Sequence, residues 1–206
     1  MLRYLRKPFT YIIKFFRNVV NSLIKLYYLN LVFNFFGLKK EKEYCFVKKS
    51  SDFPHVKLGS DFDIYILNNS LVTNDLHDYL INRRIVNFEI NQFSDTKLHL
   101  NLVANKTLIL KLDFYISSLN SPIILKNKNL LIDTVKSSEK IVFRFLGKNF
   151  YLNFPPIIFD SLIRYIEFCM YPNKSHHINK VKKLDYKQKS DLEKLLSEYT
   201  NLNLKI

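Results

Sequence analysis

The stretch Gly59-Ser60-Asp61-Phe62-Asp63-Ile64-Tyr65-Ile66 decides the fold. From Asp61 onward, acidic or aromatic residues alternate with apolar ones, which predicts a β-strand over 61–67. Successive side chains on a strand point to opposite faces. Asp61, Asp63 and Tyr65 therefore share one face, and Phe62, Ile64 and Ile66 share the other. The apolar face holds the strand in a core. The other face carries carboxylates at i and i+2, close enough to hold one divalent cation or a pair between them. Gly59 lets the backbone turn tightly into the strand, and Ser60 offers a hydroxyl or an amide to a phosphate.

Working outward, residues 44–48 alternate as a short strand and are followed by the turn-rich Ser50-Ser51-Asp52-Phe53-Pro54. Asn74 is the expected N-cap of a helix over 75–84, with Leu76, Tyr79, Leu80 and Arg83 at helical spacing. Strand-like runs follow over 86–92, 97–103 and 107–115, the last two separated by Ala104-Asn105-Lys106. In the third run Ile109, Lys111 and Asp113 share a face. An unpaired Asp in a buried strand costs several kcal/mol, so Asp113 is expected to be paired or metal-bound, or else to face water from an edge strand. These short strands and helices place the chain in the α/β class. The expectation is a mixed, mostly antiparallel sheet of four to five strands flanked by helices.

Composition narrows the chemistry. The chain has only three glycines in 206 residues, and Gly37, Gly59 and Gly147 stand far apart. Neither a Walker loop nor a G-x-G-x-x-G fingerprint can be written, so nucleotide chemistry here must rest on carboxylates and metal. The net charge of +14 comes with abundant Lys, Asn, Ile, Phe and Tyr, the vocabulary of an AT-rich genome, and part of the Lys excess follows from that bias. The remainder can attract nucleotides, nucleic acid or an acidic membrane. Cys45 and Cys169 lie in apolar stretches without a C-x-x-C neighbour, so they read as free, buried thiols.

The first forty residues are periodic. Arg3, Lys7, Thr10, Lys14, Arg17, Asn21 and Lys25 fall on one helical face; Leu5, Phe9, Ile12, Phe16, Val19, Leu23 and Tyr27 fall on the other. The first acidic residue is Glu41. Such a helix suits an anionic membrane interface, a packed position with its apolar face on the domain, or an organelle presequence. The run Lys39-Lys40-Glu41-Lys42-Glu43 reads as a solvated linker. The expected division is a basic amphipathic segment at 1–38, an α/β domain at 39–153 and a helical part at 154–206. In that last part Ile158, Leu162, Tyr165, Ile166 and Cys169 form a core stripe. The cluster Lys180, Lys182, Lys183, Lys187 and Lys189, softened by Asp185 and Asp191, reads as a solvated face more than a nucleic-acid grip. His55, His77 and His99 are isolated, while His176-His177 reads as a surface pair or a phosphate contact.

The run Gly59-Ser60-Asp61-Phe62-Asp63-Ile64, followed some fifty residues on by Leu112-Asp113-Phe114, resembles the DNA polymerase β-type nucleotidyltransferase superfamily. The resemblance covers residues 44–115, with a weaker echo to 184. It is strongest to a branch found with bacterial surface-polysaccharide genes, in which a strand with a basic residue (here Phe46-Val47-Lys48-Lys49) runs through a short proline loop into the acidic strand. That branch also has a Pro-started helix, as in Phe154-Pro155-Pro156-Ile157, and a Lys-rich tail. The resemblance implies Mg2+-dependent nucleotidyl or phosphoryl transfer from a nucleoside triphosphate or nucleotide to a hydroxyl acceptor, in surface glycan assembly. Asp61 and Asp63 would hold Mg2+ on the phosphates. Asp113 would complete a second metal site and help deprotonate the acceptor. Lys48 or Lys49, with Gly59 and Ser60, would approach the phosphates. The location it implies is cytoplasmic, peripheral at the inner membrane face through residues 1–37.

One departure stands out. Active members of the superfamily separate the Gly-Ser turn from the D-x-D strand by about ten residues that grip the triphosphate, whereas here Ser60 abuts Asp61. A catalytically silent relative acting as a binding or scaffold protein, or a basic component of an RNA-protein or membrane assembly, is therefore kept beside the enzyme reading.

Overall fold

The computed structural model describes residues 2–39, 42–49, 53–54, 56–85, 87–94, 96–116, 125–127 and 129–205, with the side chains of the first helix described from Ile13 onward. Lys40 and Glu41 of the expected linker, Ser50-Ser51-Asp52 of the expected turn, and His55 lie outside these residues.

The strands follow the alternation closely. β1 (Tyr44–Val47), β2 (Asp61–Ile66), β3 (Phe88–Ser94), β4 (Lys97–Ala104) and β5 (Thr107–Tyr115) form one sheet in the order β1-β2-β5-β4-β3. β2 and β5 run parallel at its centre, and the other three pairings are antiparallel. This is the mixed, mostly antiparallel sheet flanked by helices that the nucleotidyltransferase resemblance implies. β4 alternates strictly, with Leu98, Leu100, Leu102 and Ala104 buried. Together with Phe62, Ile64, Leu110, Leu112 and Phe114, these residues make one apolar sheet face.

α1 (Leu2–Gly37) covers that face with its C-terminal half, where Tyr28, Leu29, Leu31, Val32, Phe33, Phe35 and Phe36 are buried. Phe33 sits among Phe53, Phe62, Phe143, Phe145 and Phe150, with ring centroids 5.1–6.2 Å away. Fully burying a side chain of this size contributes roughly 1.5–3 kcal/mol.

The N-terminal half of α1 is mounted against expectation for a packed helix. Its polar side faces the domain: Asn21 is buried, the Arg17 guanidinium donates to Thr107 Oγ1 (2.8 Å), and the Lys25 ammonium donates to the Val56 carbonyl (2.7 Å). Phe16, Val19, Leu23 and Tyr27 face outward and are exposed, joined by Ile13, Phe15 and Val20. The reason is local. This half of the helix crosses the β4–β5 turn and the Val56 loop, whose carbonyls and hydroxyl need donors and not hydrocarbon. The segment Ile13–Gly37 is long and apolar enough to cross a bilayer, but 44% of its most apolar window is buried in the domain.

Three other elements differ from the expected boundaries or were not anticipated. The helix expected from 75 begins earlier: a π-helical turn, Leu71–Leu76, leads into α2 (His77–Asn82). Burial of Leu71, Val72 and Leu76 sets that start, and Asn74 lies inside the turn as a partner of the Thr73 hydroxyl. α3 (Leu130–Lys136) packs Leu131 and Val135 against Cys45, Val47, Tyr65 and Ile163 on the opposite sheet face. β6 (Glu139–Phe145) and β7 (Lys148–Phe154) form a separate hairpin over α1 and β1. The C-terminal part is helical as expected: α4 (Ile157–Met170), α5 (Ser175–Val181) and α6 (Tyr186–Tyr199). The stripe Leu162, Tyr165 and Ile166 lies in their shared core, with Ile158 and Cys169 packed against it. Cys45 and Cys169 are both free thiols.

Candidate functional site

β2 delivers Asp61 and Asp63 to the face that the strand alternation predicts. Phe62 and Ile64 point into the core, Asp61 is exposed and Asp63 is half-buried. Gly59 adopts φ +71°, the left-handed conformation a Gly takes without a Cβ penalty, so the turn into β2 is sharp. The Gly59 amide donates to the Ile109 carbonyl (3.1 Å) and the Ser60 amide to the Lys57 carbonyl (3.2 Å). One amide ties the turn to β5 and the other closes the turn. An amide expected to meet a phosphate is committed to the fold.

Lys48 follows β1 in a left-handed conformation, φ +56°, unusual for a residue with a Cβ. Its own amide donates to Asp160 Oδ1 of α4 (2.6 Å), which holds that conformation. The result aims the Lys48 ammonium between Asp63 Oδ2 and Glu167 Oε1, 2.7 Å from each. Burial opposes the charge of that ammonium, but Asp63 and Glu167 raise its pKa above the ordinary lysine value. Asp63 Oδ1 accepts from the Tyr115 hydroxyl (2.9 Å), so both Asp63 oxygens are fixed. Lys49 takes a different course. Its ammonium lies over the Phe53 and Phe154 rings, 5.5 and 5.0 Å from their centroids, beside a small pocket of about 40 Å³. Of the two lysines, Lys48 is the one in the carboxylate network.

Asp113 is in register with Asp63 across the parallel β2–β5 pair, as the expected third acid should be. Its carboxylate is nonetheless taken up by three neighbours: His99 Nδ1 at 2.6 Å, Lys111 Nζ at 2.9 Å and Lys97 Nζ at 3.0 Å. Burial would raise the Asp113 pKa, but Lys111, Lys97 and His99 hold it below the usual carboxylate value. Among the described residues, no group of three or more His, Cys, Asp or Glu side chains is arranged to hold a metal ion. Of the three expected acids, Asp61 and Asp63 are the two that line a common cleft. Mg2+ takes one or two carboxylates and completes its octahedron with water and substrate phosphate.

The pair opens into a cleft of about 500 Å³. Lys48, Asp61 and Asp63 form its sheet side; Arg164, Glu167, Lys174, His176, His177 and Lys180 form its helical side. Glu167 organises that helical side. Burial pushes its pKa upward, but the His177 and Lys48 contacts win and hold it at about 2. His177, read from sequence as half of a surface pair, is in fact buried. Its Nε2 lies 3.1 Å from Glu167 Oε2 and its Nδ1 lies 3.3 Å from the Arg164 guanidinium, a geometry that fits a proton on Nε2. Arg164 also donates from Nε to Asp160 Oδ2 (2.7 Å) and from a terminal nitrogen to the Lys49 carbonyl (3.1 Å). A continuous chain thus runs from Asp63 through Lys48, Glu167, His177 and Arg164 to Asp160. Arg164, Glu167 and His177 did not emerge from the sequence as site residues. The available signal was two opposite charges, Arg164 and Glu167, inside the otherwise apolar helix 161–170, where a buried charge requires a partner.

No protein-family profile and no curated protein matches the chain. Among solved structures, the chain resembles the crystal structure of an antigenic nucleotidyltransferase-like protein from Paracoccidioides brasiliensis. The match has a TM-score of 0.37 and 10% sequence identity, and it covers 75% of this chain and 79% of the other. Similarity at that level does not establish a shared fold or function, and the geometry above stands without it.

Proposed function

We propose that this chain is a nucleotidyltransferase-like protein that binds a nucleotide as its Mg2+ complex in the cleft between β2 and α4–α5, for nucleotidyl or phosphoryl transfer to a hydroxyl acceptor. The observation that carries this reading is the Asp61–Asp63 pair on one face of β2, opening into a cleft whose far wall is cationic. Phosphoryl-transfer transition states spread negative charge over oxygens, so catalysis is mostly positioning and charge stabilisation. Asp61 and Asp63 would hold the metal–phosphate unit, and Mg2+ there would supply charge neutralisation at the phosphoryl oxygens. Tyr115 fixes one oxygen of Asp63. Lys48 balances the other, shared with Glu167. Asp113 joins such a centre only by exchanging its partners Lys97, Lys111 and His99, so the described residues favour a single metal on the pair. The branch resembled in sequence suggests an acceptor in surface glycan assembly.

Calorimetry with nucleoside triphosphates tests the reading. Wild-type protein binds in a Mg2+-dependent manner, and Asp61→Asn or Asp63→Asn weakens binding by about 10- to 100-fold, the scale of a lost charged contact. Equal binding by wild type and both variants would sink it. One observation favours a second reading, a binding protein without turnover: the Gly59 and Ser60 amides are both bonded within the fold, to the Ile109 and Lys57 carbonyls. Nucleotide binding without pyrophosphate release would select that reading. We further infer that the chain sits peripherally on an anionic membrane through the exposed side of α1, with its cleft on the cytoplasmic side.

A further inference from the structure

We propose that Lys174, His176 and Lys180, at the α4–α5 junction, form the anion subsite of the cleft and take the diphosphate portion of the ligand. This rests on the cleft being a ligand site, and it goes beyond that reading by assigning the phosphate grip. The short Gly59–Ser60 turn cannot supply it, because both amides are bonded within the fold. Lys48 and Arg164 cannot supply it freely either. Lys48 is divided between Asp63 and Glu167, and all three guanidinium nitrogens of Arg164 have partners.

The remaining donors lie on one wall. Lys174 and His176 flank the start of α5, and Lys180 lies one turn further along it. They are held rather than loose. The Lys180 ammonium donates to the Lys49 carbonyl (2.8 Å), and the Lys174 ammonium lies over the Tyr171 ring (5.2 Å) and 4.0 Å from Glu167 Oε2. The His176 ring lies tilted by 44° against that of His177, centroids 4.1 Å apart, which places it beside the buried Glu167–His177–Arg164 network. Four fixed cations line the cleft against three carboxylates, so it carries one surplus positive charge. A divalent cation on Asp61 and Asp63 raises that surplus by two, which suits a ligand bearing several negative charges next to its metal.

The electrostatics agree. The pKa of His176 is pushed down by partial burial and then by His177, Arg164 and Lys174, with Glu167 acting the other way. That of Lys180 is pushed down by burial and by Arg164 and Lys183, with Asp160 opposing. Both groups sit in a positive field that an anion would relieve.

A diphosphate can come from a nucleotide or exist free, so the probes are inorganic pyrophosphate and ATP, each with and without Mg2+. Binding is followed by calorimetry and by the NMR titration of the His176 ring in the full chain. In wild type, pyrophosphate binds and moves the His176 midpoint upward. Lys174→Gln with Lys180→Gln, both at exposed positions, weakens both probes by about tenfold or more. Tighter binding of ATP than of pyrophosphate marks the nucleotide as the source, and equal binding marks a free diphosphate group. Asp61→Asn separates the two readings. It removes the gain from Mg2+, while metal-free pyrophosphate still binds and still moves the His176 midpoint, more tightly than in wild type because one cleft carboxylate is gone, so a failed metal site does not remove the subsite. Conversely, ATP binding that depends on Asp61 but is unchanged in the double lysine variant overturns the subsite and leaves the metal reading standing. An unmoved His176 midpoint overturns it as well.

Discussion

The Lys48 ammonium, 2.7 Å from both Asp63 and Glu167, is the joint between the sheet and the C-terminal helices at this site. Glu167 has the most to lose there, because its side chain is only 9% exposed and faces both Lys48 and His177. Removing one partner from a buried charge network costs about 3 kcal/mol, since the other charges stay desolvated. Glu167→Gln should therefore lower the stability measured by urea denaturation at pH 7 by about that amount. The pH dependence follows from the direction of the Glu167 shift. Its folded value of about 2 lies below the ordinary 4.5, so the ionised form is the one the fold stabilises. That contribution is fully present above pH 4.5 and is lost as the pH falls towards 2. Wild type and variant should converge in stability through that window. A gap that stays constant from pH 7 to pH 3 would show that Glu167 acts by shape alone. The strand faces of Asp61, Asp63 and Asp113 were legible in the sequence because alternation fixes them. Glu167 could not, because a helical stripe reports which residues are buried but not which charges a distant strand brings to meet them.

At the scale of elements, β2 owes its position to the turn before it. Gly59 has room for a Cβ, the nearest atom being the Leu108 carbonyl at 3.9 Å, so its requirement is conformational and not steric. Gly59→Ala should cost about 1–2 kcal/mol of stability, the penalty of a left-handed residue, with a lowered thermal midpoint and no new contact to relax it. A midpoint equal to wild type would mean that the turn changes shape, and nucleotide binding would then report whether Asp61 moved with it. The limits of β5, Thr107–Tyr115, match the strand-like run expected after the turn signal Ala104-Asn105-Lys106. The β6–β7 hairpin was less so, although Phe143 and Phe145 alternate opposite Phe150. Its two-residue turn is Leu146-Gly147, with φ of +48° and +77°, and it carries Leu where Asn or Asp usually marks such a reversal. A bulky residue in a left-handed turn hides the hairpin from a search for turn chemistry.

For the whole molecule, the outward side of α1 is the feature on which the proposed membrane contact rests. The helical period was readable from Arg3 to Tyr27, but not which side faces the domain. That choice was made by the unsatisfied oxygens of Val56, Val103 and Thr107, which draw Lys25, Tyr28 and Arg17 inward. The exposed stripe Phe16, Val19, Leu23 and Tyr27, with Phe15 beside it, is larger than the scattered apolar residues of an ordinary surface. Its chemistry matches one partner. The sequence adds Arg3, Arg6 and Lys7 ahead of the stripe and no acidic residue before Glu41, a run of cationic charge without acidic relief that suits anionic lipid headgroups. The protein should therefore float with vesicles containing phosphatidylserine or phosphatidylglycerol and float less with neutral phosphatidylcholine. Raising the salt should weaken the anionic component. Phe16→Ser with Leu23→Ser removes two outward side chains that contribute nothing to the core, so the fold and cleft binding should be unchanged. Each transferred apolar side chain is worth roughly 1.5 kcal/mol, and the double variant should lose about a hundredfold in vesicle partitioning. Equal flotation of wild type and variant would exclude the stripe as the membrane contact. Flotation insensitive to both lipid charge and salt would leave hydrocarbon alone as the attraction and remove the argument for an anionic surface.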